Sequence, residues 1–140
     1  MESFNDSKDA GTALATIRAA AFDKRAVVGW ELERHDDGTW AVRSEEAGLC
    51  LQPKSTAAVG VAVSMENCNG STAQSWKIVP ESTSTGVQGP TGWWSLRPAG
   101  DTKLAAAVDT VGGAYSTVSL YRATNSADRL WHHATPGQSW

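Results

Sequence analysis

Met65-Glu-Asn-Cys-Asn-Gly-Ser-Thr-Ala-Gln-Ser-Trp76 decides the fold, because the chain carries it a second time, altered, as Leu120-Tyr-Arg-Ala-Thr-Asn-Ser-Ala-Asp-Arg-Leu-Trp131. Each segment opens on a large apolar residue and reaches a tryptophan after the same number of steps. A valine precedes each at equal distance, at Val63 and Val118. Working outward, Leu51 precedes Trp76 and Leu104 precedes Trp131 at nearly equal spacing. Further upstream Trp40-Ala-Val-Arg43 matches Trp94-Ser-Leu-Arg97. Self-similarity of this kind is the signature of a repeat architecture. Residues 40–79 and 94–133 therefore read as two copies of one unit of short strands.

The local pattern says what the unit is made of. Trp30-Glu-Leu-Glu-Arg34, Val61-Ala-Val-Ser-Met65, Trp76-Lys-Ile-Val79, Trp94-Ser-Leu-Arg97 and Val118-Ser-Leu-Tyr121 alternate or nearly alternate apolar and polar side chains. Period-two alternation bounded by Gly, Asp, Asn, Pro and Ser predicts strands with one buried face. His35-Asp-Asp-Gly38 joins two such runs, and Asp-Gly there predicts a tight hairpin, since glycine supplies the positive φ. Residues 81–92 are rich in Ser, Thr, Gly, Pro and Gln and read as a surface loop. Ala13 to Lys24 is alanine-rich and fits a helix or a strand pair equally.

Residues 1–39 should hold a third, shortened copy, with Trp30 at its last tryptophan position. Phe4 precedes Leu14 by the spacing that separates Trp94 from Leu104, yet Leu14 to Trp30 is too short for a full unit, so its register stays open. Three imperfect repeats of about four short strands, near 1–39, 40–79 and 94–140, predict an all-β fold, a single β-trefoil domain over 1–140. Closure removes sheet edges, and a threefold core accounts for the recurring large aromatics. Trp30, Trp40, Trp76, Trp94 and Trp131 are expected to be structural. Trp93 beside Trp94 must point to the other face of its strand, which makes it an exposed candidate for ligand contact.

Composition sets the outer bounds. The chain has 140 residues, 41% of them hydrophobic, with 12 basic against 15 acidic side chains and a net charge of -3. That is enough chain for one core. It offers no basic excess with which to track phosphates, so no nucleic-acid partner is expected. No run approaches the roughly 18–20 apolar residues of a membrane helix, so no membrane partner is expected. The polar, acidic start lacks the features of a secretory signal. The chain as written is expected in the cytoplasm, or outside the cell if a signal has been removed; localisation and oligomeric state stay open. Two cysteines, Cys50 and Cys68, do not make a disulfide scaffold, and no Cys or His cluster has zinc spacing. No metal and no cofactor is expected. His35, His132 and His133 read as solvated or merely satisfied side chains.

The second unit resembles the ricin-type β-trefoil lectin family, which also occurs as carbohydrate-binding modules. The residues that carry the likeness are Gly48-Leu-Cys-Leu51, Val61-Ala-Val-Ser-Met65, Asn67-Cys-Asn-Gly70 and Gln74-Ser-Trp76, against Cys-Leu-Asp, an alternating strand, Cys-Asn-Gly and Gln-x-Trp. The likeness is specific over this unit and reaches the rest of the chain only through the repeats. A further Gln138-Ser-Trp140 closes the chain, either as a displaced last element or as a chance tail. The resemblance implies a disulfide between Cys50 and Cys68, with Gln74 structural. It also implies a sugar site in each unit, made of a carboxylate after Cys-Leu, an aromatic ring at the end of the third strand, and an amide.

No unit keeps all three. The second offers Gln52, Glu66 and Asn69, with an acid where the ring should be. The third offers Ala105, Tyr121 and Thr124; it keeps the ring, and Asp109 or Asn125 stands near enough to replace the missing acid. The first offers Ala15 and no ring. The reading that follows is a lectin-like protein of weak or altered glycan specificity, centred on Tyr121. Two others stay open: a small-molecule enzyme such as a cyclase or isomerase, and a protein-binding inhibitor using the 81–92 loop. No catalytic residue is assigned, since Glu66, Asp109, His132 and His133 form no recognisable dyad or triad. The expected ligand is a glycan or another small molecule.

Overall fold

The computed structural model describes residues 1–3, 7–17, 29–81, 93–110 and 115–131. Its strands are β1 (Glu2–Ser3), β2 (Thr12–Ile17), β3 (Trp30–Arg34), β4 (Trp40–Ser44) and β5 (Leu49–Pro53). They continue as β6 (Val63–Asn67), β7 (Trp76–Glu81), β8 (Trp93–Pro98), β9 (Leu104–Val108) and β10 (Tyr115–Arg122). Single 3-10 turns, Thr72–Gln74 and Ala127–Arg129, precede Trp76 and Trp131. No α-helix occurs among the described residues. The described part of the alanine-rich segment is β2, and its remainder lies outside them, as do residues 82–92 of the proposed loop, His132, His133 and Gln138-Ser-Trp140.

Alternation explains the elements. Along β4, Val42 and Ser44 are buried while Arg43 between them is exposed. The turn before it is set by Gly38 at φ 81°, a conformation that costs an L side chain dearly. His35 donates its amide to the Thr39 carbonyl at 2.8 Å and Gly38 donates to the His35 carbonyl at 3.0 Å, closing the β3–β4 hairpin.

Three hairpins meet in a ring. β2 of the β1–β2 hairpin pairs with β6 through Ala13↔Ser64. The β5–β6 hairpin meets β10 through the bridge Ala62↔Ser119, and β10 of the β9–β10 hairpin returns to β2 through Thr117↔Ala15. A ring that closes this way gives the hairpins a common register. Ala15, Ser64 and Ser119 are equivalent, and so are their cross-strand partners Glu2, Gln52 and Ala107. Leu14, Val63 and Val118 then share one place, and each is fully buried. Beside the hairpins runs a wall of β3, β4, β7 and β8, extended by the bridge between Trp94 and Trp131. Hairpins capping a strand wall about a threefold axis make a β-trefoil.

The tryptophans pin this register. Trp76 donates its indole N–H to the Leu51 carbonyl at 2.9 Å, and Trp131 donates to the Ala106 carbonyl at 3.0 Å. Trp30 does the same to Met1 at 2.9 Å. Met1, Leu51 and Ala106 are therefore one position. This corrects two sequence expectations. Leu104 stands with Leu49, not with Leu51, and Leu14 lies in the third strand of its unit, with Val63 and Val118, not beside Leu104. The core gathers Leu14, Leu51, Met65, Trp76, Leu96 and Leu120, with Trp30, Trp94 and Trp131 packed partly buried against it. Trp40 is half-buried, on the side of β4 that carries Val42, with the Arg34 guanidinium 5.9 Å from its ring centroid.

Candidate functional site

The β9–β10 hairpin presents one polar face. Tyr121 pairs with Ala105 and Ser119 with Ala107, while the Asp109 amide donates to the Thr117 carbonyl at 2.9 Å. Directly opposed residues of an antiparallel pair share a face, so Ala105, Ala107, Asp109, Thr117, Ser119 and Tyr121 lie together. The alanines are buried and leave the polar groups standing over them.

Asp109 is the hub of that face. Its carboxylate accepts from the Tyr121 hydroxyl at 2.9 Å, from Thr117 at 2.6 Å and from Ser119 at 3.0 Å. The donated bond and the charge of Asp109 hold the Tyr121 phenol above its ordinary pKa, because ionisation would break the bond and set two anions side by side. On the ring, the Arg129 guanidinium lies 5.6 Å from the centroid, within cation–π range. Arg129 is held by Asp128 at 2.6 Å and Ser126 at 2.8 Å. The two residues that the sequence singles out on this face, Tyr121 and Asp109, meet here. Arg129, Thr117 and Ser119 join them without standing out in the sequence. The usable signal was that Arg129 stands before Trp131 as Gln74 stands before Trp76. Ala107, not Ala105, holds the place of Gln52, and in the first unit that place belongs to Glu2, not to Ala15. Asn125 is exposed in the segment after β10.

The second unit uses its polar groups internally. Buried Gln74 donates to Gln52 Oε1 at 2.9 Å and to the Asn67 carbonyl at 2.8 Å, and accepts from the Asn69 amide at 2.8 Å. Asn69 Oδ1 accepts from the Ser71 amide at 2.9 Å, a local turn bond. Ser64 donates to Glu66 at 3.0 Å, and Glu66 pairs with Cys50 as Tyr121 pairs with Ala105. Cys50 and Cys68 form a disulfide with Cα atoms 5.1 Å apart. It ties β5 to the segment that carries Asn69.

Trp93 departs from expectation. It is half-buried, not exposed, because β8 pairs with β7 up to Trp93↔Glu81, and its indole nitrogen is covered. Glu81, placed by the sequence in the loop, is the last residue of β7. Among the described residues no group of three or more His, Cys, Asp or Glu is arranged to hold a metal ion, and no helix is long and apolar enough to cross a membrane.

Residues 29–88 match the family described as ricin-type beta-trefoil lectin domain-like. That match spans the β3–β4 hairpin, the disulfide and the Gln74 network. The remainder of the ring agrees with solved trefoils in shape alone. The designed 3-fold symmetric protein ThreeFoil superposes with a TM-score of 0.73 at 17% identity, covering 93% of this chain and 86% of that one. A mosquitocidal holotoxin gives 0.70 at 16% identity, covering 93% of this chain and 15% of the toxin chain. The cytolethal distending toxin of Actinobacillus actinomycetemcomitans gives 0.69 at 15% identity, covering 99% of this chain and 86% of that one. At these identities the likeness establishes the fold. A search of curated proteins gives no match.

Proposed function

We propose that the chain is a carbohydrate-binding β-trefoil whose glycan site is the β9–β10 face. The observation that carries this reading is the pairing of Tyr121 with Asp109 over the Ala105–Ala107 floor. A sugar needs an aromatic surface for its C–H face and a carboxylate for its hydroxyl protons. Tyr121 supplies the first and Asp109 the second, while Arg129 braces the ring from its own side. The second unit supports the assignment by contrast, since it carries Glu66 where the ring belongs and spends Gln52 on Gln74. The ricin-type likeness over residues 29–88 supports the ligand class, and the choice of hairpin comes from the residues themselves.

The test is a broad glycan array probed with the wild-type chain and with Tyr121→Ala and Asp109→Asn. Wild type is expected to bind a defined set of glycans, with each substitution weakening binding about tenfold or more, the scale of one charge-assisted or stacking contact. Silence of the wild type on the array sinks the proposal. Binding that survives Tyr121→Ala unchanged moves the site off this face and equally defeats it.

A further inference from the structure

Trp94 and Trp131 exchange two backbone bonds, 3.0 Å from the Trp94 amide and 2.8 Å from the Trp131 amide. This rung ties the first strand of the third unit to its last tryptophan. Trp40 pairs with Trp76 at the same place in the second unit, and the pairing is antiparallel. In the first unit Trp30 holds the place of Trp76 and Trp131, as the three indole bonds show. Among the described residues no strand stands across from Trp30, and β3 pairs with β4 alone.

The bonding phase of the β3–β4 hairpin shows which groups this leaves. The His35 amide donates to Thr39, and the Glu45 amide donates to Gly29. In an antiparallel pair bonded and non-bonded positions alternate. Glu31 and Glu33 therefore bond to β4, while the backbone N–H and C=O groups of Trp30, Leu32 and Arg34 point away from it. No described residue bonds those groups. The matching edge of β7 is closed by Pro80, which aligns with Arg34 when Trp76 is set on Trp30, and proline has no N–H to offer. β3 has no proline, and its register with β4 runs unbroken from Trp30 to Arg34. Trp30 and Leu32 pack only partly buried against the core, which leaves apolar surface for a neighbouring strand to cover.

Charge narrows the occupant. Glu31 and Glu33 project from one face of β3 and are both exposed. Arg43 is drawn to Glu31 at 3.9 Å, and Glu33 has no ion-pair partner among the described residues. Over the whole hairpin Glu31, Glu33, Asp36 and Asp37 outnumber Arg34 and Arg43, so it stays acidic whether or not His35 carries a proton. A second copy of β3 laid antiparallel about Leu32 would set Glu31 against Glu33 twice, and like charges directly opposite repel. The complement is a strand with basic residues opposite Glu31 and Glu33 and apolar residues opposite Trp30 and Leu32.

We propose that the open edge of β3 is a docking site for an extended segment of another protein in which apolar and basic residues alternate. The segment adds to the wall as an antiparallel strand, its main chain bonding Trp30, Leu32 and Arg34 and its side chains supplying the selectivity. The inference does not rest on the glycan site at Tyr121.

The experiment is an amide-resolved NMR titration and hydrogen-exchange measurement on the oxidised chain with the synthetic peptide Gly-Thr-Lys-Val-Lys-Trp-Gly. In the free chain the amides of Glu31 and Glu33 are expected to exchange slowly and those of Trp30, Leu32 and Arg34 fast. The peptide is expected to shift and slow the latter three. The acidic peptide Gly-Thr-Glu-Val-Glu-Trp-Gly is expected to bind about tenfold more weakly or less, since two attractive cross-strand pairs become repulsive. N-methylation of the central valine, which removes one main-chain donor, is expected to weaken binding about tenfold. Glu33→Lys, at an exposed position, is expected to weaken the basic peptide about threefold or more, and Tyr121→Ala to leave it unchanged. Slow exchange of Leu32 and Arg34 in the free chain would mean that another segment of this chain, such as residues 132–140, already covers the edge. Shifts of these amides with chain concentration would mean that a second copy does. Either result, absence of binding, or equal binding of the acidic or the N-methylated peptide overturns the proposal.

Discussion

Tyr121 shows how much one side chain can be fixed by its neighbours without being buried deeply. Its hydroxyl donates to Asp109, whose carboxylate is already committed to Thr117 and Ser119 and so cannot turn away. The neutral phenol is the favoured form, and the folded-state pKa lies above the unfolded one. The stabilisation is thus complete below the ordinary phenol pKa of 10.0 and is lost as pH rises through the raised value. In a Tyr115→Phe background, ultraviolet titration should find Tyr121 ionising later than free tyrosine. Adding Asp109→Asn should bring it back toward the ordinary value. An unmoved titration curve after Asp109→Asn would mean the bond is not held in solution. The sequence disclosed both partners because an aromatic ending an alternating strand and an acid just past its partner strand are visible without coordinates. Arg129 stayed hidden because its meaning depends on standing where Gln74 stands, and a charged residue bears no resemblance to an amide.

At the scale of elements, legibility followed polarity. The β3–β4 hairpin could be read outright, since Asp37-Gly38 permits few turns and its strands alternate. β9 could not, because Leu104 to Ala107 are all buried and the run of small apolar residues carries no phase. Leu104 looked like the anchor only because it is the largest of them, whereas the indole bond from Trp131 selects Ala106. The first unit was opaque for the same reason. Its anchor is the backbone of Met1, and a carbonyl oxygen has no residue signature. The disulfide came from the family likeness, not from the residues' own chemistry, and its effect can be measured. It joins buried Cys50 to exposed Cys68 across a sequence separation of 18. Restricting the unfolded chain by a loop of that length is worth about 3 kcal/mol in the chain-entropy view. Replacing both cysteines with serine should lower the urea unfolding free energy by about that amount. An undiminished free energy would place the native structure's stability elsewhere.

Across the whole molecule the ring of three hairpins makes stability a shared property. Each hairpin touches both others, through Ala13↔Ser64, Ala62↔Ser119 and Thr117↔Ala15, so none can open without exposing its neighbours. The repeats suggested this closure in the sequence. Which residues meet at the axis had to come from the pairing, since Ala, Ser and Thr there are too common to be noticed. Leu14, Val63 and Val118 lie just inside those contacts, one from each hairpin, all fully buried. Leu14 belongs to the hairpin that was hardest to read, which makes it the sharpest probe of whether the first unit is an equal member of the ring. Leu14→Ala should cost about 2–5 kcal/mol, the range for removing a core leucine. Unfolding should remain one transition, with tryptophan fluorescence and far-ultraviolet circular dichroism coinciding along the denaturant axis. The fluorescence sums all seven tryptophans, Trp76 and Trp131 of the other units among them, so coincidence means that a cavity in the first hairpin is felt by all three. Two separated transitions, with the signal from the Trp76 and Trp131 units unfolding at its unaltered midpoint, would show that the first hairpin only leans on a core built by the other two.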